Sequence, residues 1–302
     1  MDMNSGSMDE MLACGDVQLA NSLFTEAVET FERIIERDPT HATAWNNRGV
    51  ALIGLGRYTD ALHSFNRVLD ILQNDDSEGN TRSGSADQDT PGAGADETGD
   101  SDSSFASLPG KLPDDADTWY NHGIALSKLG RYTEAIASFD NALALDPDDP
   151  DTWGNRGDTC GALGKHEEAV RSYDRVLAID PLDAGIWTSR GLSLAALGRL
   201  DEALESFADA LALDPEDLDA WIGRAVILHE HEDYTGAVHA YDMALSIDPA
   251  IFDLWYKRGR ALAESGHFNE AVRSFQQVLA LEPGHTDAED ALQVLVLEQN
   301  RK

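Results

Sequence analysis

Apolar residues fall along this chain into short stripes of helical spacing separated by polar breaks. Between Ala116 and Asp149, Trp119, Gly123 and Leu126 recur three and four residues apart, which is one face of a helix. A second stripe, Ala135, Phe139 and Ala142, begins after a break that contains Gly130 and Thr133. Two helices are therefore predicted. Gly130 is expected to end the first, because glycine tolerates positive φ, and Thr133 to cap the second with Glu134 at its positive end. Pro147 cannot continue that helix. Gly123 has no Cβ, so the two helices can approach closely there.

The same pair of stripes recurs every 34 residues. Trp119, Trp153, Trp187, Trp221 and Trp255 keep that step, and Pro147, Pro181, Pro215, Pro249 and Pro283 follow each tryptophan by 28 residues. Gly123, Gly157, Gly191, Ala225 and Gly259 stand in register, as do Phe139, Tyr173, Phe207, Tyr241 and Phe275. Asp117, Asp151, Asp219 and Asp253 suit the start of each first helix. A sixth copy lies upstream at Trp45, Gly49, Gly56, Tyr58, Ala61 and Phe65. A weaker seventh precedes it, with Met11 at the tryptophan position and Ser22 at the turn glycine. After Pro283, residues 286–302 read as a solubilising C-terminal capping helix, with Ala288, Leu292, Leu295 and Val296 on one face.

This pattern closely resembles the tetratricopeptide repeat. The resemblance implies an all-α fold, a right-handed superhelical solenoid of about seven helix-turn-helix repeats plus the cap. One hairpin cannot bury its stripe alone, so neighbours must stack. The expected organisation is a disordered N-terminus (1–7), repeats 1–2 (8–73), a linker (74–115), repeats 3–7 (116–285) and the cap. Residues 74–115 are rich in Ser, Gly, Asp and Thr, carry a net charge of about −9 and hold few large apolar residues. Such a segment reads as a disordered acidic tether, with Phe105 and Leu108 its candidates for docking. Two repeats alone are marginal, so the N-terminal pair is expected to dock on the third.

Charge changes the picture of partners. The 302 residues carry 56 acids against 22 bases, a net charge of −34, and Arg outnumbers Lys by 17 to 5. Such a field repels nucleic acid and anionic membranes. Because the excess runs through the whole chain, adaptation to a salt-rich, halophilic cytoplasm accounts for it better than one basic ligand. The polar, acidic start of the chain does not read as a secretory signal, and no run is apolar enough for a membrane span, so cytoplasmic localisation is expected. Cys14 and Cys160 read as partly buried fillers in a reducing compartment.

No phosphate loop, nucleophile elbow or paired-carboxylate site stands out, so the chain is expected not to be an enzyme and to need no cofactor. His229, His231 and His239, near Glu232 and Asp233, read as turn residues in preference to metal ligands. The resemblance places the binding surface on the first helices, at repeat positions 2, 5, 6, 9, 12 and 13, counting the tryptophan as 4. Position 6 supplies Asn47, Asn121 and Asn155, amides that can both donate to and accept from a peptide backbone. Position 5 adds Asn46, Tyr120 and Tyr256; Asp158 and Arg260 come from position 9 and Lys257 from position 6. The Lys/Arg clamp of repeats that hold acidic chaperone tails is absent. At position 7, Arg48, Arg156, Arg190, Arg224 and Arg258 form a ladder with His122 in the gap; each guanidinium is expected to meet an Asp before a proline, Asp146, Asp180, Asp214 or Asp248. The expected function is a protein-binding scaffold that holds a neutral or basic peptide or helix in the concave groove. A regulatory subunit of an enzyme complex and a self-associating structural module are the alternatives.

Overall fold

The computed structural model describes residues 7–80 and 115–299. Among the described residues are fifteen α-helices and no strand, the all-α class that the periodicity predicts. The chain divides into two compact units, residues 1–163 and 164–302.

The first unit holds α1 (Met8–Ala20), α2 (Phe24–Arg37), α3 (Ala42–Gly54), α4 (Tyr58–Asn80), α5 (Ala116–Lys128), α6 (Tyr132–Leu145) and α7 (Pro150–Ala162). The main cluster of its core includes Phe31, Ile34, Leu52, Phe65, Leu126 and Phe139. Burying each phenylalanine contributes about 2 kcal/mol. Leu69 of α4 packs with Trp119 of α5 and Ala142 of α6, so the N-terminal pair of hairpins does dock on the third. A Cβ at Gly123 would lie 2.6 Å from the Phe139 ring, and this close approach is why the position holds glycine. Residues 74–115 depart from the expectation at both ends. Helix α4 continues through Asn80, and Asp115 caps α5, its carboxylate accepting from the Thr118 N–H at 3.2 Å. The remainder of the expected tether, with Phe105 and Leu108, lies outside the described residues.

The second unit holds α8 (His166–Ile179), α9 (Ala184–Ala196), α10 (Leu200–Leu213), α11 (Leu218–Glu230), α12 (Tyr234–Ile247), α13 (Phe252–Glu264), α14 (Phe268–Leu281) and α15 (Thr286–Gln299). Three successive clusters fill it, centred on Leu194 and Phe207, on Tyr241 and Leu254, and on Phe275 and Val278. Helix α15 adds Ala288 and Leu295 to the last of these. Val296, expected on that face, is 46% exposed, as are Val294 at 55% and Leu297 at 53%. At 100° per residue, Ala288, Leu292 and Leu295 share a narrow stripe that Val296 overshoots.

One detail of capping and one of burial differ from expectation. Thr133 lies inside the first turn of α6, whose N-cap is Arg131 without a side-chain cap bond. The reason is the turn: Gly130, at φ 76°, brings the Arg131 N–H back to the Leu126 carbonyl at 3.0 Å, and the next helix restarts at once. Asp115, Asp149, Asp183 and Asp217 cap first helices, and Asp117, Asp151, Asp219 and Asp253 stand within the first turn, at the helix starts the sequence suggests. Cys14 is exposed, whereas Cys160 is buried.

The linked periods of tryptophan and proline have a direct cause. Trp45, Trp153, Trp187, Trp221 and Trp255 each donate the indole N–H to the carbonyl of the proline six residues earlier, at 2.8–3.0 Å. Trp119 is buried, and its N–H has no partner among the described residues. The proline at the same offset, Pro113, lies outside them.

Candidate functional site

Asn46 and Asn47 on α3, Tyr120 and Asn121 on α5, and Asn155 on α7 stand at positions 5 and 6 of three successive first helices in the first unit, with Asp158 at position 9 of α7. Their polar groups are partly engaged with each other. Asn47 Nδ2 donates to Asp16 Oδ1 on α1 at 2.8 Å, and Asn46 Nδ2 to Asn47 Oδ1 at 3.3 Å. Thr118 Oγ1 donates to Asn46 Oδ1 at 3.2 Å. Asn155 Nδ2 reaches the Tyr120 hydroxyl at 3.3 Å and the Asp151 carbonyl at 2.9 Å. Burial raises the Tyr120 phenol pKa, and the nearby Asp151 and Asp149 add to the effect, so Tyr120 is a neutral donor. Asn121 is different: it is half-buried, and its amide has no hydrogen-bond partner among the described residues. The first helices thus present a polar run with one unengaged amide.

Tyr256, Lys257 and Arg260 lie on α13 in the second unit and form a separate group. Lys257 Nζ pairs with Asp253 at 2.7 Å, and Arg260 Nη2 with Glu264 at 3.3 Å. Glu264 also meets His229 Nε2 at 2.7 Å. Tyr256 packs 5.7 Å from Phe275 and 5.1 Å from His285. The basic charge at these positions is therefore matched by acids. The three histidines are dispersed: His229 meets Tyr234 edge to face, His239 meets Trp221 edge to face, and His231 is exposed. Among the described residues, no group of side chains is arranged to hold a metal ion, and no helix is long and apolar enough to cross a membrane.

The arginine ladder has partners other than those expected. Arg48 donates Nε to Glu32 at 3.1 Å, Arg156 to Asp140 at 2.6 Å, Arg190 to Asp174 at 2.7 Å and Arg258 to Asp242 at 2.5 Å. Each acid lies 16 residues earlier, on the preceding second helix. Arg48, Arg190 and Arg258 also donate Nη1 to Ser64, Ser206 and Ser274, 16 residues later, at 2.7–2.8 Å. Each guanidinium stands 5.7–5.8 Å from the centre of its own repeat's tryptophan ring. Where both bonds are present, one arginine ties three helices. The Asp residues before the prolines instead turn back on their own loops: Asp146, Asp180, Asp214 and Asp248 accept from the N–H groups of Asp148, Leu182, Glu216 and Ala250. Both the acids and the serines keep step with the arginines in the sequence, and that periodicity was the signal for these partners. Asp16 and Thr118, the groups bonded to Asn47 and Asn46, carried no such signal.

Profiles described as tetratricopeptide repeat match residues 12–76 and 188–250, 114–181, and 224–297. No curated protein matches the chain. Of solved structures, 433 chains match, so the fold by itself selects no function. The C-terminal part of a TPR repeat-containing protein from Cytophaga hutchinsonii superposes with a TM-score of 0.68 at 17% identity, covering 93% of this chain and 99% of that one. YrrB, described as a TPR protein with an unusual peptide-binding site, gives 0.54 at 21% identity over 60% of this chain and 93% of its own. MamA from Desulfovibrio magneticus gives 0.53 at 20% identity over 56% and 96%.

Proposed function

The chain belongs to the tetratricopeptide repeat family, and from that premise we propose that it is a non-catalytic scaffold that holds an extended or helical segment of a partner protein against its first helices. The observation that carries this reading is Asn121. A half-buried amide without an internal partner, flanked by the bonded Asn46, Asn47, Tyr120 and Asn155, can donate to and accept from a peptide backbone without selecting its sequence. The peptide-binding site ascribed to YrrB gives the reading a structural parallel. The net charge of −34 favours a neutral or basic partner, in a salt-rich cytoplasm that screens the chain's self-repulsion.

The test is a pull-down in potassium chloride with the wild type, Asn121→Ala and the Asn47/Asn121/Asn155 triple alanine variant. Asn121→Ala should lose most of a retained band while its melting temperature stays unchanged, because it breaks no internal bond. The triple variant should lose the band and some stability, since Asn47 and Asn155 brace neighbouring helices. A band equally retained by all three would place binding elsewhere.

A further inference from the structure

We infer that Arg224 is a receptor for a carboxylate side chain presented by another polypeptide, on the tryptophan-bearing side of α11. The argument rests on the ladder and is independent of the Asn121 surface. In four repeats the position-7 guanidinium receives a carboxylate, from Glu32, Asp140, Asp174 or Asp242. Around Arg224 both template partners are missing. The residue 16 earlier is Ala208 on α10, and the residue 16 later is Ala240 on α12. The arginine itself is retained in the same pose, its guanidinium 5.9 Å from the Trp221 ring centre. Glu205 and Asp209 flank Ala208, and Asp242 is held by Arg258; among the described residues no acid pairs with Arg224.

By register with the other repeats, buried Ala240 stands where a serine would meet the guanidinium and exposed Ala208 where the acid would, beside the Trp221 ring. One repeat further on, the equivalent surface between α13 and α14 is concave, a cavity of about 310 Å³ lined in part by Trp255, Arg258 and Ser274. A guanidinium stacked on an indole and stripped of its acid is oriented to take a carboxylate on its free N–H groups. The ligand is a polypeptide's side chain because that is what the equivalent guanidiniums of four repeats hold, an Asp or Glu presented from a neighbouring helix.

The experiment uses the full ¹⁵N-labelled chain at constant ionic strength. It is titrated with a blocked Gly-Ala-Asp-Ala-Gly peptide, its Asn counterpart, and acetate. The Arg224 Nε–H and Trp221 indole signals should move saturably with the Asp peptide and not with the Asn peptide. In Ala208→Asp, which restores the internal acid, the apparent affinity should fall by about tenfold or more. Circular dichroism should show that variant folded with a raised melting temperature, so loss of binding cannot come from unfolding. Unsaturable shifts, an equal response to the Asn peptide, or undiminished binding in Ala208→Asp would overturn the proposal. Saturation by acetate at the same concentration as the Asp peptide would overturn the polypeptide source.

Discussion

His122 Nε2 lies 3.0 Å from Asn66 Oδ1, a bond that joins α5 to α4 across the long insertion in the repeat array. The ring's Nδ1 is 2.8 Å from Ser138 Oγ on α6. Here histidine replaces the ladder arginine, and asparagine replaces the acid that the arginine would need. The exchange preserves the three-helix tie while removing both charges from a site where the histidine is only 6% exposed. An ion pair buried to that degree would lose much of its attraction to desolvation.

This pairing makes a pH-dependent contribution to stability. Burial, with help from nearby Arg131, lowers the His122 pKa from 6.5 to about 4. The unfolded chain therefore binds the proton more readily between those values. His122 favours folding fully above pH 6.5, and that contribution is lost as pH falls towards 4. His122→Gln cannot titrate. Between pH 7 and pH 4 the wild type should lose about 3 kcal/mol more than this variant, read from denaturant midpoints. Parallel pH profiles would mean that His122 titrates alike in the folded and unfolded chain, and would overturn the lowered pKa. Asn66→Asp should raise the ring's pKa, visible by NMR titration.

The ladder predicts an asymmetry between two aspartates. Asp174→Ala removes the carboxylate that Arg190 holds, and Arg190→Ala also strips packing from Trp187. Each should lower stability by about 1–2 kcal/mol without changing partner affinity. Asp180→Ala loses only the turn bond to Leu182 and should cost less, about 0.5 kcal/mol. Equal losses at Asp174 and Asp180 would mean that Arg190 uses the acid before the proline after all.

Glu232 occupies, at φ 61°, the turn position held by Ser22 in the first repeat and by Gly56, Gly130, Gly164, Gly198 and Gly266 in others. A side chain in the left-handed region is strained, and this one is exposed with no compensating bond among the described residues. Glu232→Gly should raise thermal stability, by up to about 1 kcal/mol after the entropy of glycine is allowed for. A fall in melting temperature would reveal an interaction of the Glu232 carboxylate that outweighs the strain.

Salt should stabilise the whole chain. With 56 acids against 22 bases, self-repulsion is large in dilute buffer, and the screening length shortens from about 10 Å at 0.1 M to about 3 Å at 1 M. Melting temperature should climb across that range of potassium chloride, by roughly 2–4 °C for each kcal/mol of relieved repulsion. A flat profile would mean that the acids are already neutralised by their internal partners.

Much of this protein was legible in the sequence because its repeat is a statement about local geometry. Trp119, Gly123 and Phe139 at fixed spacing require two close helices whatever surrounds them, and the 34-residue step requires that they stack. The acids and serines of the ladder are in register with the arginines too, although the expectation paired the arginines with the acids before the prolines. An acid before a proline sits in a turn and bonds to the turn, whereas one a helical turn and a half earlier faces the next repeat. Other features depended on neighbours far away in the chain. Asn47, Asn121 and Asn155 look identical in the repeat template, yet Asp16 and Tyr120 engage two of them and leave Asn121 unengaged. Arg224 matches Arg190 by position and differs because Ala208 and Ala240 surround it. Periodicity sets which residue types face one another. Whether a polar group is satisfied is decided by the particular side chains that tertiary packing brings within hydrogen-bonding distance.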